Sequence, residues 1–361
     1  MNVPDAALVG AGRSVGAASP GARARRLDWL DAARGIGIVL VVIGHELRAQ
    51  MAAGVAPPGW QAPVWDAAIY AFHMPLFFVL SGMTFVGSAL TRPWPVLLRS
   101  RLQTLVYPYI LWSVVSVLLS YMATGNVNHP MTPAAIADIW RQPVLQYWFL
   151  YALFLIQLAF LPLARVPLAA ALLSLVLVLV AWPPMAPILT EVVLMFPFFV
   201  VGAVTGPRLL ARGFRIAPAS LAMLALGAAL LFALLFVHAF EHEASRLERD
   251  ALALCGVVVV IAVAMLAGHR SQLLILLGRA SMAIYVLHTL VGWLPRMLLH
   301  HLGLFSAGAD MVLGTVTGIA VPVAIDRIAA RYGATLWLGL GRATSAGPRR
   351  ITPAGSAATP G

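Results

Sequence analysis

The stretch RGIGIVLVVIGHE, residues 34–46, decides how the chain is read. An arginine opens a run of apolar and glycine residues long enough to enter a bilayer, and a histidine and a glutamate close it. In a helix, Arg34 and His45 are eleven residues apart, about 20° past three full turns. Both therefore project from one face, about 16 Å apart along the axis. Charged groups in hydrocarbon cost at least about 2.5–3.5 kcal/mol each, so such residues turn toward a protein interior or a wet cavity.

The remaining sequence repeats that pattern of apolar runs. Of 361 residues, 61% are hydrophobic and only 10% are charged, with a mean hydropathy of +0.89. Globular chains carry roughly a quarter charged residues, so a soluble fold of this size is excluded. The expectation is an all-α polytopic membrane protein with about ten spans. They fall near 33–52, 65–90, 102–122, 146–163, 166–182, 188–206, 217–240, 251–267, 281–300 and 310–330. Residues 1–26 read as a disordered basic tail, 27–332 as the membrane domain and 333–361 as a second disordered tail.

All 24 basic residues are arginine, against 13 acidic residues, for a net charge of +11. They do not form one nucleic-acid patch. Arg92, Arg99 and Arg101 follow the second span, Arg208, Arg212 and Arg215 the sixth, and Arg270 and Arg279 the eighth. This alternation places both termini in the cytosol by the positive-inside rule. The first apolar run reads as a retained anchor rather than a cleaved signal. Cys255 is the one cysteine, so no internal disulfide is expected.

His45, near neutral pKa as a free side chain, is the best general base, with Arg34 on its face; the other readings are a polar cap of His45, Glu46 and Arg48 at the outer interface and an Arg34 that snorkels to the cytosolic boundary. Glu46 adjoins it but projects about 100° away, which leaves it a supporting role. HELRA lacks the second histidine of a zinc motif, and no metal is expected. In FHMPLFFVLSG (72–82), His73 precedes Pro75, which is expected to kink the helix or free a carbonyl. Ser81 is read either as a nucleophile or, with Gly82, as a packing point. Arg99 and Arg101 are either positive-inside anchors or phosphate partners of an anionic donor. Tyr147 and Trp148 suit an interfacial aromatic belt, with a role in lining an acceptor site as the second reading. Glu191 is either an interfacial charge or a carboxylate reaching the cavity. Ser281, Tyr285 and His288 share one helical face, as a hydrogen-bonded seam or as part of a site.

In order, LDWLDAARGIGIVLVVIGHE, FHMPLFFVLSG, RSRLQTLVYPY, QYWFLYALF and LGRASMAIYVLH resemble the acyltransferase-3 family of integral membrane O-acyltransferases, in its fucose 4-O-acetylase-like branch. The similarity runs over residues 27–300, with Trp29 in LDWLD where the family often has glycine. The resemblance implies transfer of an acyl group, usually acetyl from acetyl-CoA, to a hydroxyl of a sugar or related acceptor. No bound cofactor is expected. Carried over, the family's arginine and histidine match Arg34 and His45, its later arginine pair Arg99 and Arg101, its serine–glycine Ser81 and Gly82, and its last histidine His288. The expected location is a bacterial inner membrane, with lipid, acyl-CoA and a glycan-like acceptor as partners, no nucleic acid, and a homo-oligomer as an option. A proton-coupled transporter or flippase is the alternative reading.

Overall fold

The computed structural model describes residues 20–56, 59–122, 131–180, 183–211, 216–267, 270–304 and 306–341. Among them every regular element is helical. Helix α1 spans Pro20–Ala52, α2 Ala62–Thr91, α3 Trp94–Arg101, α4 Tyr107–Met122, α5 Trp148–Phe160 and α6 Pro167–Leu179. Then follow α7 Pro187–Leu209, α8 Pro218–Glu241, α9 Arg246–Ala267, α10 Gln272–Arg279, α11 Ser281–His301 and α12 Ala307–Arg331. Each of the ten expected spans coincides with a helix. Eight of the described helices are long and apolar enough to cross a membrane. The remaining two of the ten are α1 and the shorter apolar α6. The chain is a multi-pass membrane protein.

Local chemistry explains several boundaries. Helices α6, α7 and α8 each open on a proline (Pro167, Pro187, Pro218), whose fixed φ and missing N–H suit a first turn. A π-helical turn at Leu102–Val106 joins α3 to α4. Pro108 lies just beyond it and cannot donate to the carbonyl four residues back, which favours a widened turn there. Pro75, in contrast, is accommodated inside an uninterrupted α2.

Two boundaries differ from expectation. Helix α1 begins at Pro20, so residues 20–26 continue the helix rather than forming an irregular tail. Residues 333–341 do not leave the domain at once but dock on α4. There the Tyr107 hydroxyl donates to the Trp337 carbonyl at 2.6 Å and the Trp112 indole to that of Leu338 at 3.0 Å. Residues 1–19 and 342–361, which hold most of the two expected tails, lie outside the described residues, as do Arg212 and Arg215.

Helix α1 is central and touches α2, α9, α10, α11 and α12. The outer surface is apolar: Met223, Leu226, Leu230 and Leu234 of α8 are 62–74% exposed, the pattern of a lipid-facing helix. Helices α2 and α7 cross with their backbones in contact. A Cβ at Gly82 would overlap the Phe199 carbonyl, and one at Gly202 the Val79 carbonyl. Small residues let the two backbones touch where lipid supplies no hydrophobic drive. Gly202→Leu should therefore destabilise the protein by about 1–3 kcal/mol or more. The folded, monodisperse species should be lost in size-exclusion and thermal-melting measurements. Gly227→Leu, where nothing lies within 4 Å, should leave both unchanged.

Candidate acyl-transfer site

A cavity of about 1380 Å³ opens among α1, α2, α5, α7, α8, α9 and α11. It reaches from His45 on α1 to the 242–245 connection and the first turn of α9, at the end of the bundle opposite the connections that follow α2 and α7. His45, His73, Trp148 and Glu191 line it, four of the residues singled out from sequence. So do Arg48, Tyr70, Gln146, Tyr285 and Thr289.

Two polar seams hold the walls. On α1, one turn past His45, Arg48 makes a forked pair with Asp66 of α2, Nε to Oδ1 at 2.7 Å and Nη2 to Oδ2 at 3.2 Å. Its guanidinium also covers the Tyr70 ring, 3.1 Å from the centroid. Tyr70 stands edge-on to His73 at 4.5 Å and to His45 at 6.2 Å between centroids. Asp66, Tyr70 and His73 recur at helical spacing, so one face of α2 presents all three.

The second seam ties the start of α5 to α11. The Gln146 amide donates to Thr289 Oγ1 at 2.8 Å, and the Tyr285 hydroxyl donates to the Gln146 carbonyl. Tyr147 donates to the Val286 carbonyl at 3.0 Å and contacts Ser116 at 3.0 Å. Tyr147 is therefore fully buried, not part of an interfacial belt. Sequence alone shows an aromatic near a helix end; it does not show that α4 and α11 supply partners there. Trp148 stacks on Phe78 at 6.3 Å and presents its other surface to the cavity.

Beneath the cavity, His288 of α11 stands 5.0 Å from His45 between ring centroids, at an interplanar angle of 62°. It is 1% exposed and not part of the lining. Both His73 and His288 direct Nδ1 at carbonyls of their own helices, His73 at Ile69 (2.9 Å) and His288 at Ile284 (2.9 Å). Carbonyls only accept, so Nδ1 carries the hydrogen in each and Nε2 is left as an acceptor in the neutral ring.

The structure separates other candidates from this group. Glu46 faces α11 and α12, where Arg296 contacts its Oε2 at 3.4 Å and Asp310 Oδ2 at 2.8 Å. Gln50 closes the cluster on Asp310 at 3.0 Å. Glu46 fits because Gly292 and Gly314 have no side chains; a Cβ on either would collide with its carboxylate. Arg34 does not share the His45 cavity. Asp31 holds it one turn earlier at 3.1 Å, and Arg279 of α10 joins Asp31 at 3.2 Å. Ser81 is not part of the lining of this cavity. Arg101 lies over the Phe85 ring at 5.2 Å beside a small cleft with Trp94 and Gln157, and Arg99 is exposed. Phe85 is twelve residues past His73, or about 18 Å along α2. Between them Leu76, Phe78 and Leu80 are buried to 1% or less.

Sequence reasoning missed Asp66, Tyr70, Gln146 and Thr289 as site residues. Of these, only Asp66 and Tyr70 carry a sequence signal, their helical spacing with His73. Among the described residues no group of His, Cys, Asp and Glu is arranged to hold a metal ion.

Arg296 is one cation between two buried carboxylates, and its removal takes the counter-charge from both and leaves Asp310 only the Gln50 amide. Arg296→Met should cost about 3–5 kcal/mol. Glu46→Gln should cost less, because it keeps a hydrogen-bonding amide, and Glu46→Gln with Arg296→Met should be less than additive. Thermal melting of the four proteins in one detergent checks the cycle.

The family described as Acyltransferase domain matches residues 27–327. Two curated relatives carry the name Nodulation protein NolL. The one from Mesorhizobium japonicum is 31% identical over 142 residues, 39% of this chain and 36% of the relative. The one from Sinorhizobium fredii is 32% identical over 140 residues, 38% of this chain and 36% of the relative. The aligned region thus spans about a third of each relative's length. No solved structure matches the chain significantly. With a family match over most of its length, the chain belongs to the acyltransferase-3 family of multi-pass membrane proteins.

Proposed function

We propose that this protein is a membrane O-acyltransferase that moves an acyl group, most simply acetyl, from acyl-CoA to a hydroxyl of a carbohydrate-like acceptor. The observation that carries this reading is His45 on the wall of a large, partly polar cavity in a chain of this family. A ring nitrogen of His45 takes the proton of the acceptor hydroxyl as its oxygen attacks the thioester carbon. The tetrahedral adduct then expels the CoA thiolate, which the proton on His45 neutralises. Trp148 and Tyr70 supply the flat apolar and polar surfaces that a sugar ring packs against, and Glu191 an acceptor for its hydroxyls.

The donor enters from the arginine-rich end, where Arg99 and Arg101 meet its phosphates and leave the thioester to reach the His45 level. That end faces the cytosol of a bacterial inner membrane, and the cavity opens on the far side. Transfer is either direct or through an acyl group carried briefly on His45.

Purified protein in lipid nanodiscs should transfer labelled acetyl from acetyl-CoA to members of a sugar and glycan panel. His45→Ala should lower the rate by roughly 10²–10⁴-fold without altering the melting profile. Full transfer in that variant removes His45 from the chemistry. Mass spectrometry of protein exposed to acetyl-CoA alone separates the routes: a +acetyl His45 peptide supports the relay, an unlabelled one direct transfer.

A further inference from the structure

His288 is the buried side chain that the mechanism above leaves without a task. Its Nδ1 lies 2.9 Å from the Ile284 carbonyl and 3.0 Å from that of Tyr285, which fixes the hydrogen on Nδ1. Its Nε2 is fully buried and has no hydrogen-bond partner among the described residues. A sealed acceptor without a donor is unfavourable, and native structures rarely keep one without a reason.

The donors of the α5–α11 seam are already engaged, and the buried Tyr70 hydroxyl, without a partner of its own among the described residues, stands on the α2 side of His45. Tyr285 is bonded to Gln146, the Gln146 amide to Thr289, and Tyr147 to Val286. The ring facing His288 is that of His45, whose centroid is 5.0 Å away. The other groups around His45 are Tyr70 and His73 from α2 and Arg48 from its own helix. Arg48 is committed to Asp66. Glu46 is committed to Arg296 and leaves no carboxylate for His45.

We propose that His288 is the positioning residue of the reaction: its Nε2 accepts the ring N–H of His45 and keeps the opposite His45 nitrogen bare toward the cavity. This rests on His45 acting as the base. In the resting enzyme the bond selects one His45 tautomer, the task that a carboxylate performs in hydrolase triads. When His45 takes the acceptor's proton, both of its nitrogens bear hydrogen, and His288 goes on accepting one of them. No proton passes to His288. A neutral acceptor serves here without placing a second uncompensated charge at that depth in the membrane. Catalytic hydrogen bonds are commonly long in a ligand-free site and tighten with substrate, in keeping with the 5.0 Å ring separation.

Two substitutions separate this role from packing. His288→Asn keeps an N–H near the Nδ1 position for the Ile284 carbonyl but puts no acceptor where Nε2 stands. His288→Gln can place an amide oxygen there. Ring ¹⁵N shifts of His45, recorded on histidine-labelled protein in nanodiscs, report its tautomer independently of activity. Wild type should show one dominant His45 tautomer, His288→Asn a mixture, and His288→Gln one dominant form again. In the transfer assay, kcat of His288→Asn should fall roughly 10²-fold with KM for acetyl-CoA and acceptor unchanged, and His288→Gln should recover most of it. A wild-type His45 that populates both tautomers equally overturns the proposal, whether or not the variants fold. So does a His288→Asn protein with wild-type tautomer and kcat, or equal loss in both variants with the tautomer unmoved. If wild type transfers no acyl group yet His288 still sets the His45 tautomer, the acyltransferase reading fails and the histidine pair stands.

Discussion

Arg296 between Glu46 and Asp310 is the interaction on which the geometry of the site depends. Two carboxylates and one guanidinium sit where α1, α11 and α12 meet, and Asp310 is completely buried. Charges in such a place are tolerable only when each finds its partner, so the three helices cannot rotate independently. Glu46 is the neighbour of His45. With Glu46 directed at α11 and α12, the helical repeat turns His45 about 100° away, toward α2 and the cavity. The same cluster holds α11, and with it His288, against α1. A cluster that touches no part of the cavity thereby sets the distance between the two histidines.

The second seam works in the same sense from the opposite wall. At the start of α5 and along α11, Gln146 bonds to Thr289 and Tyr285, and Tyr147 to Val286 and Ser116. In water such bonds would compete with solvent; inside a bundle the alternative is an unmet polar group, which favours one arrangement. Trp148 follows Tyr147 directly, so anchoring the tyrosine fixes the indole against Phe78 and the cavity.

The helices were legible in the sequence because apolar length is a local property. Runs such as 217–240 can satisfy their backbones only as helix in lipid, and each expected span meets one in the structure. The opposed faces of His45 and Glu46 were legible too, since they follow from 100° per residue. What escaped were partners distant in sequence. Asp31 lies three residues from Arg34, yet the arginine read as a wall of the His45 cavity because same-face alignment says nothing of a nearer carboxylate. Arg296 reaches Glu46 across 250 residues, and no periodicity encodes that contact. Tyr147 read as interfacial for the same reason: its buried bonds come from α4 and α11. The docking of residues 333–341 on α4 was hidden because the bonds run to backbone carbonyls of Trp337 and Leu338 from Tyr107 and Trp112, more than 220 residues away.

Separation of the two ends of the bundle is the constraint any mechanism must meet. Arg101 and its small cleft lie about 18 Å of helix from the level of His73. Buried Leu76, Phe78 and Leu80 fill the interval. A donor anchored by its phosphates at the arginine-rich end has its reactive carbon at the far end of a long arm, whereas the acceptor needs only the cavity. In the proposed mechanism the base therefore stands near the boundary between them, where α1 passes through the centre of the bundle. At that depth a carboxylate partner for the base would need its own cation, as Glu46 needs Arg296. A neutral imidazole locked by a backbone carbonyl needs none. In the proposed mechanism, His288 beneath the cavity gives His45 on its wall a tautomer control that needs no charged partner.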